Sequence, residues 1–116
     1  MIRGIGTDIV KVNRFECLDE SFLSRIFTGT EIEEAKRRQK PAEFYASRFA
    51  AKEAFSKALG TGFRSFSPVD VEVVEDNLGK PSFRLHGNAK LFSSELPVFL
   101  SISHEDEYAI AMVVIE

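Results

Sequence analysis

Asp8, Glu53 and Lys57 are side chains of the types that handle phosphate, at positions that could bring them together. Asp8 closes the segment Gly4-Ile5-Gly6-Thr7-Asp8, whose alternation is that of a strand with Gly4, Gly6 and Asp8 on one face. Two glycines on one face leave room for a ligand or another backbone to approach. Glu53 and Lys57 lie four residues apart in a helical run, one turn from each other. An aspartate at a strand end and a glutamate on a helix together suit Mg²⁺. That hard ion takes one or two carboxylates and completes its octahedron with water and phosphate oxygens. Lys57 would then neutralise phosphate charge. Plainer roles stay open at this point: Asp8 could cap a short helix that follows it, and Glu53–Lys57 could be a helix ion pair worth about 0.3 kcal/mol.

Other segments carry weaker signals. Ser101-Ile102-Ser103-His104 ends a strand. A serine–histidine hydrolytic pair is conceivable there on residue types alone, but no Gly-x-Ser-x-Gly elbow accompanies it, and a surface histidine at a hairpin turn is the simpler reading. Gly60-Thr61-Gly62 follows a helix instead of preceding one and lacks the Gly-Lys-Ser/Thr of a phosphate loop. Gly79-Lys80-Pro81 reads as a β-turn with a solvated lysine. His86 reads as an ordinary strand or loop residue.

The elements that must position these groups can be placed from pattern. Residues 2–9 form the first strand. Short helices are expected over Val10–Leu18 and Ser21–Phe27. Thr30-Glu31-Ile32-Glu33 has the form of a capping box, so a helix begins there and stops by Lys40, because Pro41 disfavours helix at the residue before it. Pro41 suits the first turn of the next helix, which runs over Pro41–Leu59 and ends in the C-terminal cap chemistry of Gly60 and Gly62. On that helix Arg48, Lys52, Glu53, Ser56 and Lys57 share a polar arc, and Phe44, Ala51, Ala54, Phe55 and Ala58 form the core face. Phe49 falls inside the polar arc, which implies that another element, a ligand or a second subunit covers it. Val69, Val71 and Val73 alternate with Asp70 and Glu72 as a half-buried strand. Asn77-Leu78-Gly79 is a turn, and Ser82–Leu85 returns as a strand. Asn88–Leu96 reads as a short helix. Val98–Ser103 and Tyr108–Ile115 pair as a hairpin around Glu105-Asp106-Glu107. The fold class is α+β, with helices in the first half and an antiparallel sheet later, and no composition break divides the single domain 1–116.

Composition narrows the function classes. With 15 Lys+Arg against 18 Asp+Glu and a net charge of -3, a general nucleic-acid binder is not expected. Residues 1–60 hold 11 basic and 9 acidic residues, and residues 61–116 hold 4 and 9, so any acidic or phosphate-bearing partner meets the first half. The longest apolar run, Ala109 to Ile115, is far short of the ~20 residues that span a bilayer, and the start of the chain lacks the pattern of a secretory signal. Cys17 is the single cysteine, leaving no disulfide framework and no cysteine-based zinc site. A soluble cytoplasmic protein without membrane contact is the expectation.

The ordered motifs resemble those of the small 4′-phosphopantetheinyl transferases. Gly4-Ile5-Gly6-Thr7-Asp8-Ile9 resembles their first motif, and Arg48-Phe49-Ala50-Ala51-Lys52-Glu53-Ala54-Phe55-Ser56-Lys57-Ala58 resembles their Phe/Trp-x-x-Lys-Glu-Ala-x-x-Lys pattern. Gly60-Thr61-Gly62, Asn77-x-Gly79-Lys80-Pro81 and Ser101-Ile102-Ser103-His104 follow in the family's order. The resemblance implies a reaction of fatty acid biosynthesis. The phosphopantetheine arm of coenzyme A passes to a serine of an apo acyl carrier protein, leaving adenosine 3′,5′-bisphosphate. The nucleophile belongs to the partner, in keeping with none being found in this chain. By position the resemblance makes Asp8 and Glu53 ligands of Mg²⁺ and Lys57 the phosphate lysine. It makes Lys40 and Arg48 contacts to the coenzyme's 3′-phosphate. Gly60, Thr61, Gly62, Gly79, Lys80, Pro81, Ser103 and His104 become substrate-binding residues, with His104 and the 79–81 turn reaching the nucleotide from a neighbouring subunit. Arg14 and Arg25 become the residues that dock the acidic helix of the carrier protein. It also implies a homotrimer with active sites between subunits, which the 11 phenylalanines of a small domain would suit. Two other functions fit the residue types: another Mg²⁺-dependent phosphatase or nuclease acting on a nucleotide, and a non-catalytic module that binds an acidic helix.

Overall fold

The 19-residue helix Pro41–Leu59 (α3) organises the chain in this computed structural model, which describes residues 1–93 and 95–116. Pro41 stands in its first turn, and Gly60 closes it in the left-handed conformation at φ 81°, a geometry that glycine adopts without a Cβ penalty. A three-stranded antiparallel sheet lies against α3. Its strands are β1 (Gly4–Lys11), β4 (Val98–Glu105) and β5 (Tyr108–Ile115), with β5 in the middle. Two strands, β2 (Val71–Glu75) and β3 (Pro81–Leu85), pair separately. Helices α1 (Glu20–Ile26), α2 (Gly29–Lys36) and α4 (Gly87–Ser93) complete the architecture, which is the expected α+β arrangement.

Register explains how the sheet meets the helix. Gly6 pairs with Val113 and Asp8 with Ala111, and Ala111 also pairs with Ile102 of β4. The strand face toward α3 therefore carries glycine, alanine and valine, with Ala109, Ala111, Val113 and Ile115 buried. Small side chains let the helix ride close on the sheet. The opposite face is bare, and Ile5, Ile9, Phe99, Ile110 and Met112 stand exposed on it.

Several local expectations shift. The strand 2–9 begins at Gly4 and continues to Lys11, because Lys11 still pairs with Tyr108. The expected helix Val10–Leu18 is only a 3₁₀ turn over Val12–Phe15. The capping box sits two residues earlier than Thr30/Glu33. Thr28 N donates to Glu31 Oε1 at 2.9 Å, and Glu31 N donates to Thr28 Oγ1 at 3.2 Å. Both spacings satisfy the pattern, and tertiary contact decides, since Glu31 is fully buried with partners on α3 and β2. Val69 belongs to a 3₁₀ turn, Pro68–Asp70, that precedes β2. Glu72, expected to face solvent, is buried and accepts hydrogen bonds from Thr28 and His86. The helix expected over Asn88–Leu96 is observed as Gly87–Ser93, and Ser94 lies outside the described residues. The β4–β5 hairpin extends to Glu105↔Tyr108, leaving Asp106-Glu107 as its turn.

The polar arc of α3 also needs correction. Arg48, Lys52 and Ser56 are buried. Lys52 Nζ donates to Glu31 Oε1 (2.9 Å), Pro68 O (3.0 Å) and Val71 O (2.7 Å). Three acceptors satisfy an ammonium completely, which is what makes its burial tolerable. The cover over Phe49 comes from within the chain: the Phe15 ring lies 5.4 Å away and the Arg14 guanidinium 5.6 Å from the Phe49 centroid.

Candidate active site

The two glycines of β1 admit a backbone. A Cβ on Gly6 would sit 1.9 Å from Ala54 O, and one on Gly4 would sit 1.9 Å from Ala58 O. No side chain fits at those separations, so β1 lies directly on the last turns of α3. Asp8 is the next residue on the same face of the strand. It therefore meets the helical turn that carries Glu53 and Lys57.

Lys57 Nζ lies 3.1 Å from Asp8 Oδ1 and 2.9 Å from Thr7 O. Its helix neighbour Glu53 is not its ion-pair partner; Asp8 is. Asp8 does not cap the following turn either, whose N-cap is Lys11 with no side-chain bond. Burial holds the Glu53 carboxyl above its ordinary pKa. The negative charge of Asp8 adds to that, while Lys57 and Arg14 oppose it. The Asp8 and Glu53 carboxylates thus lie near enough for the charge of one to act on the other, and the Lys57 ammonium pairs with Asp8.

That donor set has a chemical character. It offers two hard oxygen ligands and no sulfur or imidazole, and among the described residues no group of three or more His, Cys, Asp or Glu could hold a metal by protein ligands alone. Zinc centres close with three or four such ligands. Two carboxylates that repel each other instead fit a magnesium-like ion that keeps water and takes phosphate oxygens. Beside Asp8 and Lys57 opens a cavity of about 540 Å³ lined by Thr7, Ser101, Ser103, Ile110 and Met112.

A second pocket, about 320 Å³, gathers Lys40, Arg48 and His104. Arg48 is 7% exposed. Its guanidinium carbon lies 4.1 Å from the Phe44 centroid, Nη1 donates to Ser47 Oγ at 3.2 Å, and Nη2 donates to Glu75 Oε1. Burial pulls the Arg48 pKa below its ordinary value, and the Glu75 carboxylate pulls the other way. Lys40 Nζ is 3.8 Å from Asp106 at the surface, and His104 Nδ1 is 3.3 Å from Glu43 Oε2. His104 lines the same pocket as Arg48 within the chain.

The remaining site candidates are spread out. Gly60, Thr61 and Gly62 form the exit of α3, with Gly60 and Gly62 at positive φ. Gly79, Lys80 and Pro81 form the β2–β3 turn, closed by Asp76 Oδ1 accepting from Leu78 N and Lys80 N. Neither group lines the Asp8 cavity or the Arg48 pocket. Arg14, in the 3₁₀ turn, and Arg25, in the last turn of α1, are exposed. Sequence reasoning missed Arg38, Glu75, Glu31 and Glu72. The one available signal was Thr28-x-x-Glu31, a second capping-box spacing that would have drawn notice to Glu31.

A long helix lying against glycines of an antiparallel strand, with two carboxylates and a lysine near the junction, suits work on a phosphate-bearing substrate. The chain belongs to the 4′-phosphopantetheinyl transferase superfamily, whose family model matches residues 4–113. It is 48% identical over 121 residues to the holo-[acyl-carrier-protein] synthase of Clostridium botulinum, covering all of this chain and 98% of that one. It is 45% identical over 124 residues to the synthase of Geobacter sulfurreducens, with 100% and 98% covered. Its fold is similar to that of the holo-(acyl-carrier-protein) synthase of Bacillus anthracis in complex with CoA (3′,5′-ADP), at TM-score 0.87 and 45% identity, covering 100% and 97% of the two chains. It is equally similar to the synthase of Neisseria meningitidis, at TM-score 0.88 and 42% identity, covering 100% and 99%.

Proposed function

We propose that this protein transfers the 4′-phosphopantetheine group of coenzyme A to a serine of apo acyl carrier protein. The serine oxygen forms a bond to the phosphorus that bears the pantetheine arm. The bond from that phosphorus to the bridging oxygen breaks, and adenosine 3′,5′-bisphosphate departs with the electron pair. The proton of the serine hydroxyl passes to water. The observation that carries the reading is the meeting of Asp8 with the Glu53–Lys57 turn across the glycine contact.

Asp8 and Glu53 are assigned as ligands of Mg²⁺. When bound, that ion supplies positive charge against the pyrophosphate and its leaving oxygen. Asp8 also orients Lys57, whose half-exposed side chain can turn its ammonium to a phosphate oxygen and stabilise charge that develops there. Lys40 and Arg48 are assigned to the coenzyme's 3′-phosphate, with His104 and Ser103 beside the nucleotide and the arm. Arg14 and Arg25 are assigned to the acidic helix of the carrier protein, where charge complementarity sets register and encounter rate.

The active unit is proposed to be a homotrimer with sites between subunits. The bare sheet face supports this: Ile5, Ile9 and Phe99 are 56%, 64% and 54% exposed, a cluster that a lone chain in water does not favour. Gly60-Thr61-Gly62 and Gly79-Lys80-Pro81 are assigned to the substrate, the 79–81 turn together with His104 reaching the nucleotide in the site of an adjacent copy. No helix among the described residues is long and apolar enough to cross a membrane, and we place the reaction in the cytoplasm.

Incubation with coenzyme A, Mg²⁺ and an apo carrier protein, followed by mass spectrometry of the carrier, tests the function. A gain of one phosphopantetheinyl group is expected. Release of phosphate or nucleotide fragments without any gain on the carrier would overturn the assignment. Light scattering that returned a fully active monomer would overturn the trimer.

A further inference from the structure

Arg48 is not the only guanidinium in its pocket. Arg38, beyond the end of α2, lines the same cavity. Its guanidinium carbon lies 4.8 Å from the centroid of the same Phe44 ring on which Arg48 rests. Both arginines donate through Nη2 to one atom, Glu75 Oε1, Arg38 at 3.3 Å. A single carboxylate oxygen and a single ring therefore draw two cations toward each other. Like charges at such a separation are costly unless an anion answers them.

The carboxylates around the pocket match its cations in number, but they do not use every donor. Glu75 is shared between the two guanidiniums, and Glu34 takes Arg38 Nε at 3.0 Å. Glu43 is engaged by His104. Lys40 has only the distant, solvent-washed Asp106. Arg48 Nε is the one buried side-chain nitrogen or oxygen without a hydrogen-bond partner among the described residues. Three cations with spare donors thus line one cavity.

We infer that Arg38 is a further binding residue for the coenzyme's 3′-phosphate and the one by which this protein distinguishes 3′-phosphorylated ligand from ligand that lacks the group. The inference rests on the assignment of the Lys40–Arg48 pocket to that phosphate. A guanidinium presents its donors as a planar fork matched to phosphate oxygens. The Phe44 ring and Glu75 hold that fork in place before the ligand arrives, so little side-chain entropy is lost on binding. A ligand without the phosphate leaves the arginines to Glu75 and gains nothing from Arg38.

Calorimetric titration with adenosine 3′,5′-bisphosphate and with adenosine 5′-monophosphate, on the intact protein, tests this. The unmodified protein should bind the bisphosphate more tightly. Arg38→Gln should weaken bisphosphate binding about tenfold, the worth of one charge-assisted contact, and leave monophosphate binding unchanged. Arg38→Lys, which keeps the charge and loses the fork, should fall between. A purely structural role would weaken both nucleotides together, and that result overturns the inference. Unchanged discrimination in Arg38→Gln beside lost discrimination in Lys40→Gln overturns the role of Arg38 while sparing the pocket assignment. Equal affinity of the unmodified protein for both nucleotides overturns the two together.

Discussion

Replacing Gly6 by alanine perturbs the contact on which the site is built. The added Cβ would lie 1.9 Å from Ala54 O, 2.8 Å from Ala58 N and 2.9 Å from Ala54 C. Ordinary contact begins at 3.4 Å, so strand and helix must separate by about 1.5 Å in a close-packed interior. The obstacle is helix backbone, which cannot rotate aside as a side chain does. Overpacking of this kind costs about 3 kcal/mol, which for a domain of this size lowers the melting temperature by about 12 °C. The same displacement carries Asp8 away from Glu53 and Lys57. A misplacement of about 1 Å is enough to lower a rate about a hundredfold. Calorimetry at fixed protein concentration reads the first effect, and kcat/KM for phosphopantetheine transfer reads the second. Gly29→Ala is the control: nothing lies within 4 Å of a Cβ there, and it should leave both quantities near their starting values. A Gly6→Ala protein that melts normally and turns over normally would refute the reasoning.

Other outcomes follow from the same contacts. Lys52→Met strips the buried Glu31 of its ion partner and should cost about 4 kcal/mol by chemical denaturation; adding Glu31→Gln should recover part of that loss. Lys57→Ala should lower kcat about a hundredfold or more through lost phosphate stabilisation, with melting little changed because its pair with Asp8 is partly exposed. Burial raises the Glu72 pKa, but hydrogen bonds from His86 and Thr28 with the nearby charge of Arg84 outweigh it and leave the carboxyl below its ordinary 4.5. A depressed carboxylate pKa contributes stability above the unfolded value, lost as pH falls through the folded one. Glu72→Gln should therefore flatten the acid limb of a denaturation series below about pH 4.5, and an unchanged limb would contradict the assignment.

What the sequence disclosed depended on how local the controlling physics is. Helix α3 was legible to the residue because proline at its start and glycine beyond its end act through their own backbone chemistry. The approach of another backbone to β1 was legible through the glycine spacing, and Asp8, at the end of that face, meets Lys57. The burial of Lys52 was not legible, since its acceptors are Glu31 and two backbone carbonyls far along the chain. Helical periodicity sorts charged residues to the outside and holds no information about a distant loop that folds over them. The same limit hid Glu72, and for Phe49 it left open whether another element, a ligand or a second subunit supplies the cover, which comes from Phe15. The shift of the capping box from Thr30 to Thr28 shows two local solutions of equal merit separated by a tertiary contact at Glu31.

Asp8 and Glu53 are proposed to act as one unit on one ion. The most direct measurement is a double-mutant cycle on the Mg²⁺ dependence of transfer, with Asp8→Asn, Glu53→Gln and both together. Joint action predicts that each single change raises the Mg²⁺ requirement steeply and that the pair is scarcely worse than either alone. Independent, additive losses, or a single variant with the Mg²⁺ dependence of the unmodified protein, would contradict the account.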